Sequence, residues 1–208
     1  MTINDVLLAS FRLDEILFFS LGILIAVAFS GGFQEVVAEI FRSEPSKHEV
    51  KPNFNPLAHL DPRALIVFFA GGFGWAKLPR IDESELNRPK IALLVIGFLG
   101  AFVNLLIAVS ASTVADIIGH DRVFTVVINL NAAVFAYHFL PIPPLAGSRV
   151  VYLLTPEKLE GVWRFYAAIG PFLLMAIATL QRFTEIALLD NLVQPILNVI
   201  GKILAISY

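Results

Sequence analysis

Four histidines, seventeen Asp and Glu, and no cysteine bound the chemistry open to this chain of 208 residues. Without cysteine there is no thiolate nucleophile, no disulfide and no thiolate metal site, and the redox compartment is left open. The histidines, His48, His59, His120 and His138, are scattered, and no two stand one helical turn apart as a helical metal pair requires. Ser148 beside Arg149 has no Gly-x-Ser-x-Gly elbow around it, so no serine triad is read there. Glu35 is the most informative carboxylate, because it follows a long uncharged run. An ionisable group there is costly and points to a proton path, an ion site or a partner's cation. The structural alternative is a carboxylate near a helix end, neutralised by protonation or by a donor such as Gln34. His138, just before a proline-rich stretch, is expected to approach Glu35; His59 reads as a loop hydrogen-bonder, and His48 and His120 as solvated.

The elements that must position these groups belong to a membrane. Hydrophobic residues make up 57% of the chain, charged residues 15%, and the mean hydropathy is +0.78. A soluble domain of this size carries more charge. Residues 16–33 run almost without charge, a length suited to a bilayer core of about 30 Å, and the helix is expected to continue to Phe41. Residues 91–111, 123–140 and 163–180 are further spans. The apolar stretch 65–75 is too short to cross alone and contains Gly71, Gly72 and Gly74, which suggests a re-entrant or buried-strand geometry. In the tail Ile186, Leu189, Val193, Ile196, Ile200 and Leu204 recur at helical spacing opposite Asp190, Gln194, Asn198 and Lys202, which predicts an interfacial or partner-facing helix. Gly22, Gly31, Gly32, Gly97 and Gly100 would allow close helix approach, with Asn104 and Asn129 or Asn131 bonding between helices. The first twelve residues show no removable signal peptide, so the first helix is the expected insertion signal. The net charge of -2, with no basic cluster interleaved with aromatics, argues against nucleic acid as a partner.

Three segments, taken together over about residues 26–151, resemble the site-2 protease family, whose members cut substrates within the membrane with a zinc ion held between helices. The first is FNPLAHLDP at 54–62 followed by GGFGWAK at 71–77. The second is GAFVN at 100–104, where the family has a Gly-Pro pair followed by Asn; Ala101 replaces the proline. The third, FLPIPPLAGSRV at 139–150, is similar to the family's Leu-Pro-x-Pro-Pro-Leu-Asp-Gly stretch. The resemblance implies an all-α integral membrane protein, a site-2-protease-like bundle of about four to six transmembrane helices with a short re-entrant or partial segment at 64–75. It forms one domain over 1–208, with the core at about 26–151, a carboxy-terminal span at 162–181 and an amphipathic helix at about 184–206.

The family's chemistry needs a His-Glu-x-x-His face and a distant Asp to hold zinc and activate water. On this chain those positions fall on Gln34, Glu35 and Ala38, and on Ala146. The carboxylate survives and all three ligands are gone. Neither a metal nor another cofactor is therefore expected, Glu35 is vestigial, and Glu35, His138, His59 and Asn104 remain as a polar site. The expected role is a non-catalytic membrane scaffold or accessory subunit, with lipids and other integral membrane subunits as partners. One alternative is an intramembrane metalloprotease with an unconventional metal set including Glu35, His138 and His59. Another is a small proton or ion translocator centred on Glu35.

If 65–75 does not cross, residues 42–63, 75–90 and 141–164 share one side. They hold Arg42, Lys47, Lys51, Arg63, Lys77, Arg80, Arg88, Lys90, Arg149, Lys158 and Arg164, eleven of the fifteen Lys and Arg. Cytoplasmic loops are rich in such residues, which places the amino terminus outside an inner (plasma) or organellar membrane. A cysteine introduced near Asp5 should thus react with an impermeant maleimide on intact cells; reaction only after permeabilisation would invert the topology.

Overall fold

The computed structural model describes residues 13–44, 52–77, 79, 82–184 and 186–204. The first twelve residues, on which the signal-peptide expectation rests, and His48 lie outside the described residues. Helices are the regular elements of the described chain, and no strand occurs among the described residues. Helix α1 spans Leu13–Ile40, α2 Pro56–His59, α3 Pro62–Gly71, α4 Pro89–Ile118, α5 Arg122–Tyr137, α6 Ser148–Leu154, α7 Glu160–Phe183 and α8 Leu188–Ile203. Among the described residues three stretches are long and apolar enough to cross a membrane, Leu13–Ile40, Pro89–Ile118 and Glu157–Phe183. This is an all-α membrane protein.

Helices α1, α4 and α5 pack against one another as the inner layer. Arg122 reaches Glu15 at 2.7 Å, so α1 and α5 begin at the same end and run parallel. The last turn of α1 is tied to the start of α4 by the Arg42–Leu86 bridge and by Arg42 Nη1 to Glu85 Oε2 at 2.5 Å, so α4 runs antiparallel to α1. Arg42 also takes Glu39, at 2.6 Å. At Gly22 the missing side chain lets Leu130 and Val126 of α5 come against the α1 backbone.

One expectation is narrowed and two are corrected. Of the alternatives for 64–75, the partial segment holds and the buried strand does not: α3 is a ten-residue helix, started by Asp61 accepting from Arg63 N and by Pro62, and stopped by Gly72 at φ 73. Residues 123–140 do not form one long span either, because α5 closes at Tyr137 and the chain then turns irregularly into the proline stretch. At sixteen residues α5 is about 24 Å long, short of the bilayer core. Finally, the amphipathic tail does not present its apolar face outward. Leu189, Val193, Leu197, Ile200 and Leu204 are buried in the common core, with α8 lying on α5 and α7. The periodicity was real, but the surface it matches is supplied by the same chain.

Tyr137 fastens that packing. Its ring stacks on Phe73 at 3.7 Å, its hydroxyl donates to Asp190 of α8, and Gln181 of α7 donates to the same carboxylate oxygen at 3.0 Å. The middle of the proline stretch packs against α7, although Phe139 and Pro141 are exposed. Tyr166 donates to Pro141 O at 2.7 Å, and Gly170 of α7 lies directly on Pro143. Gly147 N donates to His138 O at 2.6 Å, and a Cβ at Gly147 would sit 2.6 Å from Leu140 O. That neighbour is backbone and cannot swing aside. Gly147→Ala should therefore cost roughly 1–3 kcal/mol, the usual range for overpacking, read as a lowered thermal midpoint in detergent.

Candidate functional site

The carboxy-terminal half of α1 carries the sequence Gly-Gly-Phe-Gln-Glu, and its two glycines are where the following loop lands. A Cβ at Gly31 would run into the His59 ring, and one at Gly32 would come 2.6 Å from Phe54 Cε1. With the loop this close, Glu35 Oε2 accepts from Asn53 N at 2.9 Å, and His59 Nε2 meets Asn53 O at 2.5 Å. A carbonyl accepts only, so His59 carries its proton on Nε2 in this arrangement. Glu35 Oε1 lies 3.9 Å from that nitrogen. The side chain of Glu35 is 27% exposed, so it is a helix-end carboxylate that braces a loop.

The two halves of the first matched segment are joined beyond His59. Lys77 N donates to His59 O at 2.7 Å, and Leu60 bridges Ala76. Asp61 accepts Trp75 Nε1 at 3.1 Å and both Arg63 Nε and Nη2, at 3.0 and 2.8 Å. Burial of Asp61 pushes its carboxyl up, but the Arg63 side-chain and backbone hydrogen bonds, that of Trp75 and the guanidinium charge together hold it below the ordinary 3.8. On the same side Tyr152 donates to Glu83 Oε2 at 2.7 Å and stacks on Trp163 at 4.9 Å, while Lys90 sits 5.0 Å over its ring. Burial first, and then the bond to Glu83, push the Tyr152 hydroxyl up to about 12.

The positions matched to metal ligands meet α4. Gln34 is buried at 2% exposure, and a Cβ at Gly100 would fall 2.5 Å from Gln34 Cγ. One turn earlier Gly97 receives Ala146, whose Cβ would be 3.3 Å from a Gly97 Cβ. Ala38 is buried with Val37, Leu86, Ala92 and Ile96. One amide and two methyl groups do not fit a zinc ion, which takes imidazole, thiolate or carboxylate donors. Among the described residues no group of three His, Cys, Asp or Glu is placed to hold a metal. His138 is buried, and its Nδ1 donates to Val134 O at 2.7 Å. The carboxylate was expected to approach His138; among the described histidines the one within ion-pair range of Glu35 is His59, because the loop folds back onto Gly31. Asn104 and Asn131 do not bond between helices either; each donates to the carbonyl four residues back, Gly100 O at 3.3 Å and Val127 O at 2.8 Å.

Sequence reasoning passed over Asn53, which joins Glu35 to His59, because both contacts use its backbone and leave no mark in residue type. The Asp61–Arg63–Trp75 clamp had a usable signal, an Asp directly before a helix-starting proline.

With this geometry in hand, the chain can be set beside known proteins. It is 25% identical over 187 aligned residues to the protein named "Putative zinc metalloprotease YwhC" of Bacillus subtilis (strain 168), an alignment covering 77% of this chain and 85% of that one. No protein-family profile matches the chain, and no solved structure does. The similarity supports a metalloprotease-like family.

Asp61 yields a pH prediction. A carboxylate whose folded-state pKa is depressed stabilises the fold above its unfolded value and loses that contribution as pH falls through the folded value. Thermal stability should therefore decline below about pH 4 in the parent chain. Asp61→Asn should flatten that decline and cost roughly 1–3 kcal/mol at neutral pH, the scale of charge-assisted hydrogen bonds.

Proposed function

We propose that the chain is a non-catalytic, site-2-protease-like membrane scaffold, an accessory subunit that binds a partner protein within a membrane complex. One observation carries this reading. Gln34 and Ala146 are packed on Gly100 and Gly97, so the positions that match the family's ligands are filled by groups that pack, while the loops around them stay braced. Glu35 has a structural task in that frame, holding Asn53. A carboxylate so engaged is not poised on a metal-bound water.

The partner is another integral membrane subunit. Gentle extraction from native membrane should recover a stoichiometric partner and no zinc by elemental analysis. A partner-free particle would count against the scaffold, and near-stoichiometric zinc would count against the loss of catalysis.

The second reading, an intramembrane metalloprotease with an unconventional metal set, is favoured by the name of the similar Bacillus protein and by the 3.9 Å approach of His59 to Glu35. It requires zinc in the purified chain and proteolysis abolished by Glu35→Gln. On the scaffold reading the same substitution leaves partner recovery intact and lowers stability by about 1 kcal/mol or less, as for a half-exposed hydrogen bond.

A further inference from the structure

Four buried oxygens in the inner three-helix layer have no hydrogen-bond partner: Ser30 Oγ and Gln34 Oε1 on α1, Asn104 Oδ1 on α4 and Asn131 Oδ1 on α5. Ser30 is 1% exposed, Gln34 2%, and Asn104 and Asn131 not at all. A buried polar group left unpaired is expensive, and natural structures leave few of them. Four in one layer call for an occupant.

The oxygens share a neighbourhood. Gln34 lies on Gly100, and α1 and α4 run antiparallel, so one turn back along α1, at Ser30, is level with one turn on along α4, at Asn104. The ring pair Phe102–Phe135 joins α4 to α5 and puts Asn104 level with about residue 133. Asn131 is two residues away, roughly 3 Å along the axis. The two asparagine amides also cannot turn over. Each NH2 is engaged by a carbonyl of its own helix, so each oxygen is the atom left to face the neighbouring helices. Small residues surround them: Ala101 and Ala108 flank Asn104 by one turn on either side, and Ala132 and Ala133 follow Asn131, all fully buried.

We propose that this layer is a hydration site, in which ordered water donates to Asn104 Oδ1 and Asn131 Oδ1 and extends along α1 to Ser30 and Gln34. The chemistry selects a neutral donor. All four atoms can accept, three of them only accept, and the nearest carboxylate on α1, Glu35, is turned to Asn53. A cation here would leave water with no opposite charge to offset its desolvation. A water makes two to four hydrogen bonds and needs just such acceptors.

Three readouts on the full chain test this. In a high-resolution experimental structure, density should stand within about 3.2 Å of Asn104 Oδ1 or Asn131 Oδ1; an empty space there, at a resolution that shows other buried waters, overturns the proposal. Asn104→Leu and Asn131→Leu should each lower the thermal midpoint, and the double variant should lose clearly less than the sum, because the shared water is already gone. Additive losses, or a raised midpoint in either single variant, overturn it. If one variant fails to fold, the density and the remaining variant still decide. Finally, the midpoint should be the same in sodium, potassium, ammonium and choline chloride at equal ionic strength. A stabilisation by one of the small cations, lost in Asn104→Leu, would make the site cationic and overturn the hydration reading.

Discussion

The architecture depends on the approach of backbone to side chain along one face of α4. Gly97 and Gly100 have no Cβ there, and into the space come Ala146 from the proline stretch and Gln34 from α1. In lipid the gain from gathering apolar surface is small, because the tails are as apolar as the protein interior. What holds helices together is close packing and the matching of polar groups, and both need small residues at the seam. Gly22 against α5, Gly31 against His59 and Gly170 against Pro143 repeat the same solution on the other contacts. Side chains at Gly97 and Gly100 would push α1 and the proline stretch off α4.

Around that seam the polar groups are used to fix loops. Glu35 holds Asn53, Asp61 gathers Arg63 and Trp75, and Glu83 takes the Tyr152 hydroxyl. Each carboxylate accepts from donors on a different stretch of chain, so the irregular segments between helices have defined positions.

Much of the fold was legible because hydropathy reports the bilayer directly. The first helix ends at Ile40, within one residue of its expected limit, and the spans near 91–111 and 163–180 appear as α4 and α7, each longer than expected, α4 mainly at its carboxy-terminal end and α7 by three residues at either end. The added residues include polar ones such as Asp116 and Glu160, which hydropathy discounts although they continue a helix well. The tail helix was visible in its periodicity, but a stripe of Leu, Val and Ile does not say whose surface it meets. Tyr137 and Asp190 decide that, and their pairing joins residues 53 apart. The site divides in the same way. That Gln34, Ala38 and Ala146 offer no imidazole, thiolate or carboxylate can be read from the sequence, whereas the choice of His59 over His138 beside Glu35 depends on a loop folding back through backbone atoms.

The stack of Phe73 on Tyr137, with the Tyr137 hydroxyl on Asp190, has a bearing on the order of assembly. Phe73 belongs to a loop made in the first half of the chain, yet the ring that pins it is itself pinned by the last helix. During synthesis that loop waits, incompletely clamped, until α8 has left the ribosome and docked. A chain truncated before Leu188 would lose order at Phe73 and Trp75, far from the cut in sequence, sooner than in the helices beside it.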